Sequence, residues 1–193
     1  MKTILFLCLL TFPVFSFSQI ANKKFKVSLL SPINWYSPNR KISEGKFIQL
    51  KFSKEKLKKE VPDKKTTLHF RKYYKDTSQI PFGPCITYFI RRAADTSFVN
   101  FLEFVKNEKE EGVGKSPEKY FEDSIKPLFK NNNRAAYGSY RYAVSTPFGL
   151  QKIRVKIYFV LVEDLCIGIT MTDDLQNDCS ELFENVIEDF SVK

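Results

Sequence analysis

Lys152-Ile153-Arg154-Val155-Lys156-Ile157-Tyr158-Phe159-Val160-Leu161-Val162 runs through Glu163-Asp164 into Leu165-Cys166-Ile167-Gly168-Ile169-Thr170-Met171. Ile153, Val155, Ile157, Phe159 and Leu161 occupy alternate positions, so they share one face of a strand. Leu165, Ile167, Ile169 and Met171 do the same beyond the turn. The two segments read as a β-hairpin, although Glu-Asp lacks the glycine that tight hairpin turns favour. A long antiparallel pair is therefore expected near the C-terminal end.

Shorter strand patterns precede it at residues 25–29, 47–52, 66–74 and 85–92, and residues 138–145 are aromatic and extended. Phe98, Phe101, Leu102 and Val105 recur at helical spacing and predict an amphipathic helix. Ser116-Pro117-Glu118 carries an N-cap, a proline at the first helical position and an early acid. A second helix is expected there, with Tyr120, Phe121, Ser124, Ile125 and Leu128 on its apolar side. Asp178, with Glu181 three residues on, suggests a capping box opening a last helix. Its stripe is Leu182, Phe183, Val186, Ile187 and Phe190. Strands, two helices, strands and a helix in that order argue for α+β, an antiparallel β-sheet sandwiched by helices.

The N-terminus has Lys2, an apolar run over residues 4–17, and small residues Ser16 and Ser18. This is the pattern of a cleavable signal peptide at residues 1–18, cut between Ser18 and Gln19. The run falls short of the roughly 20 residues that span a bilayer. Residues 19–193 then suit a single domain with its own core. No later stretch is apolar enough to be transmembrane. The expected location is periplasmic or extracellular.

Charge is divided along the chain. Of the net +9, Lys2 contributes one unit, and residues 163–193 carry −8, with nine acids against Lys193. Residues 19–162 therefore hold +16. Such a region steers association with acidic partners, or simply forms a solvated, lysine-rich surface. Seven lysines fall between residues 51 and 65, with Lys56, Lys58 and Lys59 as the candidate contacts.

Catalytic chemistry finds little support. His69 is the single histidine, no Gly-x-Ser-x-Gly elbow exists, and no glycine-rich phosphate loop is present. A Cys85–His69 pair across neighbouring strands is the one nucleophilic arrangement the spacing allows. Asp173, Asp174, Asn177 and Asp178 match no calcium loop, so neither metal nor cofactor is expected. Cys85, Cys166 and Cys179 remain after signal removal, an odd number. Cys166–Cys179 is the candidate disulfide, and three buried thiols are the alternative. A basic, aromatic strand surface (Arg71, Lys72, Tyr73, Tyr74, Arg91 and Arg92 with residues 140–142) would suit a nucleic acid, but export argues against that partner. Trp35, Tyr36, Tyr137, Tyr140, Arg141 and Tyr142 are the residue types enriched at binding hot spots, and equally the types that fill a sheet edge.

One resemblance joins these features. The stretch Phe25-Lys26-Val27-Ser28-Leu29-Leu30-Ser31-Pro32-Ile33-Asn34-Trp35, the hairpin over residues 152–171 and the closing helix ending Ile187-Glu188-Asp189-Phe190 together resemble the PsbP-like fold family. The likeness is one of layout across residues 25–193. It implies an α/β/α sandwich and an exported, non-catalytic accessory or binding domain, and carries over no site residues. The expected partner is a protein or envelope component, an acidic one among the candidates. A small-ligand carrier with a pocket between sheet and helix is the alternative, and a hydrolase of unrecognised type a remoter one.

Overall fold

The computed structural model describes residues 24–79, 83–93, 98–113, 119–120, 125–130, 132–146, 149–174 and 176–193. The expected signal peptide at residues 1–18, its expected cleavage site at Ser18–Gln19 and the expected helix start at residues 116–118 lie outside them. In chain order the elements are β1 (Lys24–Ser31), β2 (Tyr36–Ser37), β3 (Arg40–Lys41), β4 (Lys46–Ser53), α1 (Lys54–Glu60), β5 (Thr67–Tyr74) and β6 (Cys85–Arg92). Then follow α2 (Phe98–Val113), β7 (Lys119–Tyr120), β8 (Lys126–Lys130), β9 (Asn133–Thr146), β10 (Gly149–Val162), β11 (Leu165–Asp174), α3 (Ser180–Asp189) and β12 (Ser191–Val192).

The strands form a large sheet of order β3-β2-β5-β6-β11-β10-β9-β7, with β8 also paired to β9, and a small sheet of order β12-β1-β4. All pairings are antiparallel. The expected hairpin is β10–β11, in register from Val162↔Leu165 to Ile153↔Asp174. Its turn has no glycine, and Glu163 itself takes the left-handed conformation, φ 56°. Two ion pairs brace it: Lys54–Glu163 at 2.6 Å and Arg92–Asp164.

Alternation divides the core into two layers. Tyr158, Val160, Leu165, Ile167, Ile169 and Met171 face the small sheet and α3, where Val27, Leu29, Phe183, Val186 and Phe190 meet them. Phe159, Ile157, Val155 and Cys166 face the other way, toward Phe101 and Val105 of α2. The result is the expected α+β sandwich, with the small sheet joining α1 and α3 in one covering layer. Phe190, at the end of the closing helix, is fully buried. Its ring lies 6.0 Å from that of Tyr88 and 5.9 Å from that of Tyr158. Removing such a ring from a core costs about 3–5 kcal/mol.

Three local expectations are corrected. Residues 126–130 are a strand, β8, not the end of a helix. Pro127 would sit in the interior of that helix, where it clashes and removes a hydrogen bond. Among the described residues β8 pairs only with β9, as an edge strand, where a proline is tolerated. The last helix is capped at Cys179 rather than Asp178. Asp178 still accepts from the Ser180 backbone N–H at 2.9 Å, but its carboxylate is shared with Arg154. Cys166 and Cys179 form no disulfide. They lie in the two different core layers, on opposite sides of the large sheet, so no disulfide can join them.

Candidate binding cleft

β2 and β3 form a short hairpin at the edge of the large sheet, with Asn39 in the left-handed conformation at its turn. Beside it, β5 is bulged between His69 and Arg71. The bulge brings Arg71 into register with Tyr88, on the face that looks toward the small sheet. β4 crosses that same face, its Phe52 ring 5.2 Å from Phe70 of β5. Between β4 and the β2–β3 hairpin opens a cleft of about 210 Å³, bordered by Arg40, Lys41, Lys46 and Arg71 as well as Ser31, Ser37, Glu44 and Tyr73. Four cations meet one acid there. Among the described residues, none of the four cations makes an ion pair.

A larger trough of about 590 Å³ continues around the hairpin, past Tyr36, Pro38, Asn39, Tyr74 and Thr77. Lys72 lies over the Tyr74 ring, 5.4 Å from its centre. The surface is thus basic and aromatic together.

The structure divides the six aromatic and arginine residues singled out by type. Trp35 is 5% exposed and belongs to the core. Tyr36 reaches the surface beside Tyr74 and lines the trough. Tyr137, Tyr140, Arg141 and Tyr142 are on β9, beyond β5, β6, β11 and β10 from Tyr36. Five strand spacings make about 24 Å, so the six residues form no single surface. The β9 group is itself split by the pleat. Tyr140 and Tyr142 stack at 6.2 Å within the α2-side layer. Arg141, paired in register with Arg154, faces the opposite side. Tyr137 packs against the layer beneath the small sheet.

Lys56, Lys58 and Lys59 of α1 are exposed, and the helix is partly neutralised. Lys56 pairs with Glu60 at 3.6 Å. Lys58 borders a 250 Å³ cleft crossed by the Lys54–Glu163 and Arg92–Asp164 pairs. Lys59 is exposed on the same helix.

The other constellations are consumed by structure. His69 pairs with Phe89 and Cys85 with Tyr74, four residues apart along β6, or about 13 Å. Burial and nearby Lys72 lower the His69 pKa. Cys85 instead contacts the Thr172 hydroxyl at 3.0 Å. Burial pushes the Cys179 thiol up to about 11, which makes it a poor nucleophile. Asp173 is buried and accepts from Arg154 Nε at 2.9 Å, Arg154 Nη2 at 2.5 Å and the Cys179 backbone N–H at 2.8 Å. Asp174 accepts from the backbone N–H groups of Gln176 and Asn177. These carboxylates fasten α3 to the β10–β11 hairpin. Among the described residues no group of three acids, cysteines or histidines gathers to hold a metal ion.

No family model matches the chain, and no curated protein matches it. Among solved structures, PsbP from the cyanobacterium Synechocystis sp. PCC 6803 superimposes with a TM-score of 0.53. The match covers 90% of this chain and 94% of that one at 10% identity. The chain has a PsbP-like fold. A Pseudomonas aeruginosa protein of unknown function matches at a TM-score of 0.39 and 14% identity, over 67% of this chain and 78% of that one. The Pro-then-Trp start of the PsbP-like layout has a structural basis here. After Pro32 the chain turns at Asn34, φ 60°, and sends Trp35 into the core. No helix among the described residues is long and apolar enough to cross a membrane.

The residues that sequence reasoning missed are Arg40, Lys41 and Lys46. Their signal was a basic cluster that follows the Pro38-Asn39 turn and is interrupted by residues 42–45, less dense than the lysines of 51–65. Arg71 was visible only as one member of a basic strand.

Proposed function

We propose that this chain is an exported, non-catalytic accessory domain that binds an acidic protein of the cell envelope. In this reading residues 1–18 are the signal peptide and residues 19–193 the working domain. The observation that carries it is the cleft where Arg40, Lys41, Lys46 and Arg71 converge against the single acid Glu44, with no ion pair to any of the four among the described residues. Unpaired cations around one opening favour an anionic partner and speed its approach. Tyr36 and Tyr74, beside Arg40 and Lys41 in the adjoining trough, supply the amphipathic area that anchors interfaces. The likeness to PsbP supports the fold, and an accessory role is compatible with it.

The test is capture from envelope extract on the exported, purified chain, at low salt and near 1 M salt. A fourfold reversal, R40E/K41E/K46E/R71E, is compared with K56E/K58E/K59E on α1. A partner lost at high salt and lost with the cleft variant, yet kept by the α1 variant, is the expected result. Screening shrinks to about 3 Å at 1 M salt, which removes surface charge attraction. A partner retained by the cleft variant overturns the assignment.

A further inference from the structure

β4 offers an open edge. It is eight residues long, and among the described residues its only strand partner is β1. The direction of its backbone groups follows from the register. Lys26 of β1 exchanges both backbone hydrogen bonds with Lys193, at 2.8 and 2.9 Å. The groups of Lys26 therefore point toward β12, and those of Phe25, Val27 and Leu29 point toward β4. Phe25, Val27 and Leu29 stand opposite Phe52, Leu50 and Ile48. Those three β4 residues bond inward to β1. Phe47, Gln49 and Lys51 accordingly aim their N–H and C=O groups outward, three donors and three acceptors on one line.

The flanks of that line are not neutral. Lys46 and Ile48 border the basic cleft, with Arg40, Lys41 and Arg71 across from them. Phe47 is 54% exposed and Ile33 is 57% exposed, and Ile33 lies against Gly45 at the start of the strand. Lysines on an edge discourage pairing with a like strand. They favour an acidic one. A second copy of this chain would bring the same sign of charge to the same cleft.

We propose that the occupant of this cleft is an extended acidic segment of the partner protein, added as a fourth strand to the small sheet alongside β4. The proposal rests on the binding reading above and gives it a mode. Main-chain bonds to Phe47, Gln49 and Lys51 supply affinity, and side chains supply selectivity. Because successive side chains of a strand point to opposite faces, the acids that matter fall at alternate positions. Those facing inward meet Arg71, Arg40 and Lys41. The others face solvent.

The probe is a fluorescein-labelled nine-residue peptide alternating glutamate and valine, with a glutamine-for-glutamate version as control. Anisotropy reads affinity, and amide hydrogen exchange on the unaltered chain reads the backbone. Binding of the acidic peptide, with new protection at Phe47, Gln49 and Lys51, is expected, together with weak binding of the glutamine version. Gln49→Pro removes an outward N–H without touching the ladder to β1, and is expected to weaken binding at least 10-fold. Its Trp35 emission checks that the core is intact, and the exchange result stands if the variant does not fold. No binding of the acidic peptide, no added protection at the three amides, or unchanged affinity in folded Gln49→Pro overturns strand addition. The two proposals separate in the envelope capture. A partner lost with R40E/K41E/K46E/R71E but kept by Gln49→Pro leaves the cleft assignment standing and removes the strand. A partner kept by both removes both.

Discussion

Asp173→Asn tests whether the buried ionic contact between β11 and β10 holds the closing helix in place. The Asp173 side chain is fully buried and that of Arg154 is 13% exposed. The carboxylate takes two hydrogen bonds from the guanidinium and one from the Cys179 backbone at the cap of α3. Asparagine keeps the shape but removes the charge and one acceptor. Breaking one side of a buried ion pair costs about 3–5 kcal/mol. Asp178, largely exposed, remains beside Arg154 at 2.5 Å and offsets part of that. The low end of the range, about 3 kcal/mol, is therefore expected. With a urea slope of about 2 kcal/mol/M, the unfolding midpoint falls by about 1.5 M. Urea titration followed by far-UV circular dichroism and by Trp35 emission measures it. The double variant R154M/D173N removes both charges and keeps an amide oxygen to accept from the Cys179 backbone N–H, so its midpoint is expected within about 0.5 M of the parent. A midpoint for D173N within about 0.25 M of the parent would refute the reasoning, because the contact would then carry no net stability.

Four other outcomes are expected. Gly168→Ala would place a Cβ 2.5 Å from Phe89 Cζ and 2.9 Å from Phe159 Cδ1. It should cost about 1–3 kcal/mol, and Phe89→Leu in the same chain should recover part of that in thermal melts. Phe190→Ala empties the space between Tyr88 and Tyr158 and should lower stability by about 3–5 kcal/mol, read by the same urea titration. Thiol titration of residues 19–193 in denaturant should count three reactive thiols, whereas a Cys166–Cys179 bridge would leave one. The Ser180 backbone N–H, the Ser180 side chain and Arg154 hold the Asp178 carboxyl well below the usual carboxylate range. A depressed carboxyl stabilises the fold above its unfolded value near 3.9, and that support is lost as pH falls further. Asp178→Asn should flatten the acid limb of the stability profile, and an unchanged limb would remove Asp178 from the cause.

What the sequence determined by itself was everything carried by local periodicity. The alternation through residues 152–171 is a two-residue repeat, and it named the hairpin, its faces and the central sheet. The 3.6-residue stripes of 98–105 and 182–190 named two helices, and the terminal Phe190 marked where the second one ends in the core. The scarcity of histidine and glycine-rich loops was equally legible. Tertiary structure decided what depends on partners distant in the chain. Pro127 breaks a helix locally, but only β9 lying alongside makes residues 126–130 a strand. Cys166 and Cys179 are thirteen positions apart, yet the sheet stands between them. Tyr36 and Tyr142 share a residue type, yet four strands separate their own. The basic cleft is the clearest case. Arg40, Lys41, Lys46 and Arg71 meet only because β4 crosses over β5 while the β2–β3 hairpin extends the other sheet beside it. Hydrophobic pattern fixes which face of a strand is buried. Which strand becomes an edge, and what charge gathers there, is set by long-range pairing that no local window contains.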